Sequence, residues 1–203
     1  MSIEACSSCN THIYGSFELY GQKHEIEVDP RLDPITDRNV RNRMVITQLH
    51  EVFASAMFQI HEEKSACRNE LSQLKPLNED WAEYIQTNVQ KIDALFQKVI
   101  NHVNDLSQKV YDFDNGNLPI SDEQFADLFN RCTEADQSIM SDIITIRNLR
   151  KETVSEVKRG QLSCKVQTVA YPILAKLFEQ LRASNETQPR PTFTASVADH
   201  MMS

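Results

Sequence analysis

The chain has 203 residues, a net charge of −8 and only four glycines. Its length suffices for one domain with a sizeable core, and its negative charge disfavours non-specific binding to nucleic acid or to an anionic membrane. Scarce glycine leaves little material for phosphate-cradling loops and points to an all-α protein, and no apolar run reaches the ~18 residues that a membrane helix requires.

Residues 1–35 read as an N-terminal arm. Cys6-x-x-Cys9 followed by His12 has the local spacing of zinc ligands, since thiolates and imidazoles complete a tetrahedron around that ion. A structural zinc site usually takes a second close pair, which the sequence lacks; a Cys6–Cys9 disulfide or two plain thiols are the alternatives. Zinc is the only cofactor the sequence suggests. The first ten residues have neither the basic start nor the apolar core of a signal peptide. That implies a cytoplasmic protein with reduced cysteines, although export without a cleaved signal would leave no trace. Phe17 and Leu19 alternate with Glu18, and Ile26 and Val28 alternate with Glu25 and Glu27, around a turn at Gly21-Gln22-Lys23. This is a β-hairpin pattern. A lone hairpin is marginal in water, so it must dock on the helices, pair with another chain or stay mobile.

Residues 36–183 read as a helical bundle. Helix one runs from about Thr36 to Lys75, with Leu49, Phe53, Ala56, Ile60, Cys67, Leu71 and Leu74 on its core side; Glu63 and Lys64 interrupt that seam. Asn78 is the expected N-cap of helix two, and Glu79 and Asp80 suit its first turn. From Ala82 to Phe113 the apolar steps alternate three and four: Ala82, Ile85, Val89, Ile92, Phe96, Val99, Val103, Leu106, Val110, Phe113. That heptad seam suits coiled-coil packing. Ser121 and Gln124 form a capping box that starts helix three. Its seam changes register near Asp142 and Ile143, and Gly160 is its expected C-cap. A shorter fourth helix carries Leu162, Val166, Val169, Ile173, Leu177 and Leu181, kinked or restarted at Pro172. Residues 184–203 read as a flexible polar tail. The expected fold is an elongated antiparallel bundle or coiled coil of three long helices and a shorter kinked fourth, with a small β-hairpin arm.

Charge follows this layout. An acidic stretch between Asp112 and Asp136 faces the end where helix one begins with Arg38, Arg41 and Arg43. A basic stretch with Arg147, Arg150, Lys151, Lys158 and Arg159 lies near Glu62, Glu63 and Glu70. Complementarity between neighbouring helices and contact between subunits are the two readings of this pattern. No aromatic residue interleaves the basic stretch, which argues against specific nucleic-acid binding. Trp81 and Tyr84 either cap the apolar seam of helix two or anchor a partner, a role in which both residue types are enriched.

The sequence contains no Glu-x-x-His, no phosphate-binding glycine motif, no Gly-x-Ser-x-Gly and no His-Glu-x-x-His. We therefore expect no enzyme. The expected function is that of a structural or interaction protein, a scaffold or adaptor. It self-associates as a homo-oligomer or binds protein partners through its coiled-coil seams and terminal arm. Two alternatives stand beside it. One is a viral or bacterial protein that is assembled or exported without a cleaved signal. The other is a bundle that binds a small ligand or metal in its core, although helix two offers no inward polar residue for that and helix three only Asp142.

Overall fold

The computed structural model of the chain describes residues 12–116 and 120–186, with side chains described through residue 183. Its elements are β1 (His12–Leu19), β2 (Gln22–Val28), α1 (Arg38–Ser72), α2 (Glu79–Asn115), α3 (Asp122–Lys165), a π-helical turn (Val166–Ala170) and α4 (Tyr171–Glu186). They fall into two compact units that divide between Val157 and Lys158.

In the first unit α1, α2 and α3 run up, down and up. Contacts between α2 and α3 descend one helix as they climb the other, from Lys98–Asp142 to Asn88–Thr153. Contacts between α1 and α3 climb both together, from Arg41–Asp122 to Arg147–Glu63 and Arg150–Glu70. The heptad seam of α2 is buried from Ile92 onward, through Phe96, Val99, Val103, Leu106 and Val110. Ahead of it Ala82 is exposed and Ile85 and Val89 are half-buried. Each large side chain sealed in this way contributes about 1.5–3 kcal/mol.

Both helix starts expected from the sequence are present. The Asn78 side chain accepts from the Trp81 N–H at 3.1 Å. Ser121 and Gln124 cap each other, with the Ser121 N–H donating to Gln124 Oε1 at 2.8 Å and the Gln124 N–H to Ser121 Oγ at 3.2 Å. At the register change of α3 both Asp142 and Ile143 are buried, and the Lys98 ammonium lies 2.9 Å from the Asp142 carboxylate. Contrary to expectation, α2 does turn a polar group inward. Buried Asn88 donates to Thr153 Oγ1 at 3.0 Å, which satisfies both groups in the core.

The hairpin docks on the first unit. Its two-residue turn is Tyr20–Gly21, both at positive φ, 55° and 69°, the twist that matches paired strands. The turn therefore sits one residue earlier than expected, and Gln22 and Lys23 belong to β2. A bulge between Ile13 and Gly15 shifts the register once. Phe17, Leu19, Ile26 and Val28 are buried, and Phe17 stacks on Phe129 with ring centroids 5.4 Å apart. A Cβ on Gly15 would stand 2.3 Å from the Phe129 ring, so only glycine permits this approach. On the α1 side the Glu27 N–H donates to Gln48 Oε1 and Gln48 Nε2 donates back to the Glu27 carbonyl, at 3.0 and 2.7 Å.

The expected end of helix three at Gly160 is not observed. The helix passes through Gly160 to Lys165 and continues through the π-turn into α4, so the bundle's last helix is one joined, kinked element. A mid-helix glycine costs only about 1 kcal/mol and need not stop a helix. Pro172 has no N–H, and its ring presses on the carbonyl four residues back. The chain responds with a wider turn, in which the Tyr171 N–H bonds to the Val166 carbonyl five residues earlier.

In the second unit no described residue from Lys158 to Ala183 is buried. Among the described residues, no helix is long and apolar enough to cross a membrane.

Candidate interaction surfaces

The seam of α1 reads Leu49, Phe53, Ala56 and Ile60, and after Glu63 resumes at Cys67. Glu63 thus occupies a position that the spacing reserves for an apolar side chain, and a carboxylate there must be paired. Arg147 of α3 supplies a fork, with Nε 2.7 Å and Nη2 2.9 Å from the two carboxylate oxygens. The Tyr20 hydroxyl, at the hairpin tip, donates to the same carboxylate. The Arg147 bonds hold the Glu63 carboxyl below its ordinary pKa, while burial and then the bond to Glu63 push the Tyr20 phenol up. One residue on, the Gly21 N–H donates to Asp136 Oδ1 at 2.9 Å. This constellation clamps the hairpin tip to α1 and α3.

A second fastening lies nearer the open end of the hairpin. The Tyr14 hydroxyl donates to Asp122 Oδ1 at 2.7 Å. The Arg41 guanidinium sits 5.0 Å above the Tyr14 ring and 3.5 Å from the same Asp122 oxygen. Burial first, then Asp122, raises the Tyr14 phenol.

The basic residues singled out in the sequence all lie on α3, three in the first unit and two in the second. Arg147 pairs with Glu63 and Arg150 lies 3.4 Å from Glu70, so both face α1. Lys151 is exposed on α3, and Lys158 and Arg159 are exposed in the second unit.

Trp81 and Tyr84 sit edge to face, centroids 5.8 Å apart and planes at 85°, and both are half-buried. They line a cleft of about 390 Å³ together with Asp80, Glu152 and Glu156.

Cys6 and Cys9 lie outside the described residues. His12 is exposed at the start of β1, in register with Val28. Among the described residues, no group of three or more histidines, cysteines or acids is placed to hold a metal ion. Cys67 and Cys132 are buried, as their core positions implied, and Cys164 is exposed. Burial raises both core thiols, that of Cys132 to about 12, which leaves them protonated and unreactive at neutral pH.

Most of the large apolar side chains that are exposed among the described residues belong to the second unit. Leu162, Val166, Val169, Tyr171, Ile173, Leu174, Leu177, Phe178 and Leu181 are each between 41% and 69% exposed. Six of these lie on the spacing read from the sequence. Tyr171, Leu174 and Phe178 broaden the stripe, and that width is the signal the narrow reading missed. Tyr20, Glu63 and Asp136 were likewise absent from the expected sites, although a carboxylate at a seam position of α1 marks one of them. No known family model, curated protein or solved structure matches the chain.

Proposed function

We propose that the protein is a non-catalytic interaction protein that self-associates through the apolar face of residues 162–181. One observation carries this reading: nine large apolar side chains stand exposed on one helical segment. Monomeric proteins rarely expose so many large apolar side chains on one segment, and such patches mark interaction sites. The seam of α2 from Ile92 onward and the Phe17–Val28 apolar face of the hairpin are already covered within the first unit. A second copy offers a stripe of equal length and like chemistry. The first unit, tied together by its hairpin, then serves as the rigid body that the association brings together.

Light scattering on the full chain across a concentration series tests the proposal. The parent protein should have the mass of a dimer or larger assembly. The double substitution Leu177→Glu with Phe178→Glu should reduce it to a monomer of unchanged helicity. Phe58→Glu, at another exposed apolar residue (63% exposed), should leave the mass unaltered. A parent protein that stays monomeric at every concentration overturns the proposal.

A further inference from the structure

The end of α2 carries the chain's only Asn-Gly step, Asn115-Gly116. An asparagine side chain ends in a carboxamide whose carbon can be reached by the next residue's backbone nitrogen, and that bond closes a five-membered ring. A side chain on the following residue hinders the closure, and glycine removes the hindrance. We propose that Asn115 is a site of spontaneous deamidation, through a cyclic imide formed with Gly116.

Three observations place the reaction here. Asn115 and Gly116 are both exposed, so water and hydroxide reach them. Asn115 is the last residue of its helix, and Gly116 has already left helical geometry, with φ −72° and ψ 132°. A terminal turn opens more readily than a helix interior. The reacting groups are restrained by exposed hydrogen bonds of that last turn. Asn115 Nδ2 donates to the Tyr111 carbonyl at 2.8 Å, and the Gly116 N–H donates to the Phe113 carbonyl at 3.3 Å. Asn42 and Asn88, by contrast, are buried inside helices and precede Arg43 and Val89.

The step needs water as its co-reactant and nothing else. The Gly116 nitrogen gives its proton to a solvent base and bonds to Asn115 Cγ. The Cγ–Nδ2 bond then breaks, and Nδ2 takes a proton from water and leaves as ammonia. Water next adds to either imide carbonyl and opens the ring. One opening gives aspartate; the other gives isoaspartate, in which the backbone runs through the former side chain. Both products replace a neutral hydrogen-bond donor with a carboxylate. The end of α2 already holds Asp112 and Asp114, with no basic residue in its last turn, and the negative end of the helix dipole lies there too. Deamidation therefore removes the bond to Tyr111 and loosens the end of α2.

The test incubates the full chain at mildly alkaline pH and follows the tryptic peptide 110–131 by fragmentation mass spectrometry. That peptide also contains Asn117 and Asn130, which serve as internal references. Asn115 should gain one mass unit before either reference does, as a mixture of aspartate and isoaspartate. Gly116→Ala should slow that gain on the order of tenfold. A Cβ at Gly116 would stand 3.3 Å from the Asp112 carbonyl oxygen, close but without collision, so this variant should keep the parent's far-ultraviolet circular dichroism. Asn115→Gln, whose longer side chain disfavours the ring, should show no gain at that position. The deamidated chain, isolated by anion exchange, should unfold at a lower denaturant concentration than the parent, and an equal midpoint would overturn the loosening of α2. No gain at Asn115, an earlier gain at either reference, aspartate without isoaspartate, or a rate indifferent to Gly116→Ala overturns the site.

Discussion

Glu63 replaces an apolar seam residue with a charge, and the fold answers with two groups, Arg147 from α3 and Tyr20 from the hairpin turn. The Arg147 side chain is 49% exposed and that of Glu63 18%, so solvent screens part of the pair. Arg147→Met should therefore lower stability by about 1–2 kcal/mol, and Tyr20→Phe by about 1 kcal/mol. The pH dependence follows from the two shifts. Glu63 has a lowered pKa in the folded chain, so its contribution is complete above the ordinary carboxylate range and is lost as pH falls through the folded value. Tyr20 has a raised pKa, so its contribution is complete below the ordinary phenol value and is lost as pH rises beyond it. Denaturant unfolding from acid to alkaline pH should show a plateau between these limits. Glu63→Gln should flatten the acid flank. An acid flank identical to the parent's would show that other carboxylates dominate it.

At the scale of elements, the caps are local chemistry and behave as such. Asn78→Ala and Ser121→Ala should each cost about 1 kcal/mol in the free energy of unfolding, and a cost near zero for either would deny its side chain a capping role. Such features were legible in the sequence because cause and effect lie within one turn: Asn78 bonds three residues ahead, and Ser121 and Gln124 bond each other. The heptad of α2 was legible for the same reason. The clamp was not, because Tyr20 meets Glu63 across 43 residues and Glu63 meets Arg147 across 84. Spacing within one helix carries no record of such distant partners beyond the misfit of Glu63 itself. The inward turn of Asn88 was hidden because its neighbours Val89 and Ile92 satisfy the heptad without it. Gly160 misled because glycine permits a helix end without compelling one, and the proline that does disturb the helix acts twelve residues later.

For the whole molecule, the two units separate two kinds of surface. The first unit closes its apolar seams around the hairpin and presents paired charges outside. The second carries Lys158, Arg159, Lys165, Lys176 and Arg182 against Glu179 and Glu186 and keeps its apolar side chains uncovered. The π-turn at Val166–Ala170 bears on that surface through angular phase. In an α-helix each four-residue step overshoots a full turn by about 40°, so the run Val169, Ile173, Leu177, Leu181 would wind steadily round the axis. The wider turn takes up one extra residue and so sets the phase back before that run proceeds. Leu162 and Val166 stand at or ahead of this turn and Ile173, Leu177 and Leu181 behind it, so its phase governs how the two halves of the stripe align. Inserting one alanine after Thr168, a second residue in excess that the wide turn does not take up, should rotate the two halves of the stripe apart by about 100°. Each half would then fall short of a stable interface, and light scattering should report a monomer at full helicity. An assembly of unchanged mass would show that the phase of this turn does not matter.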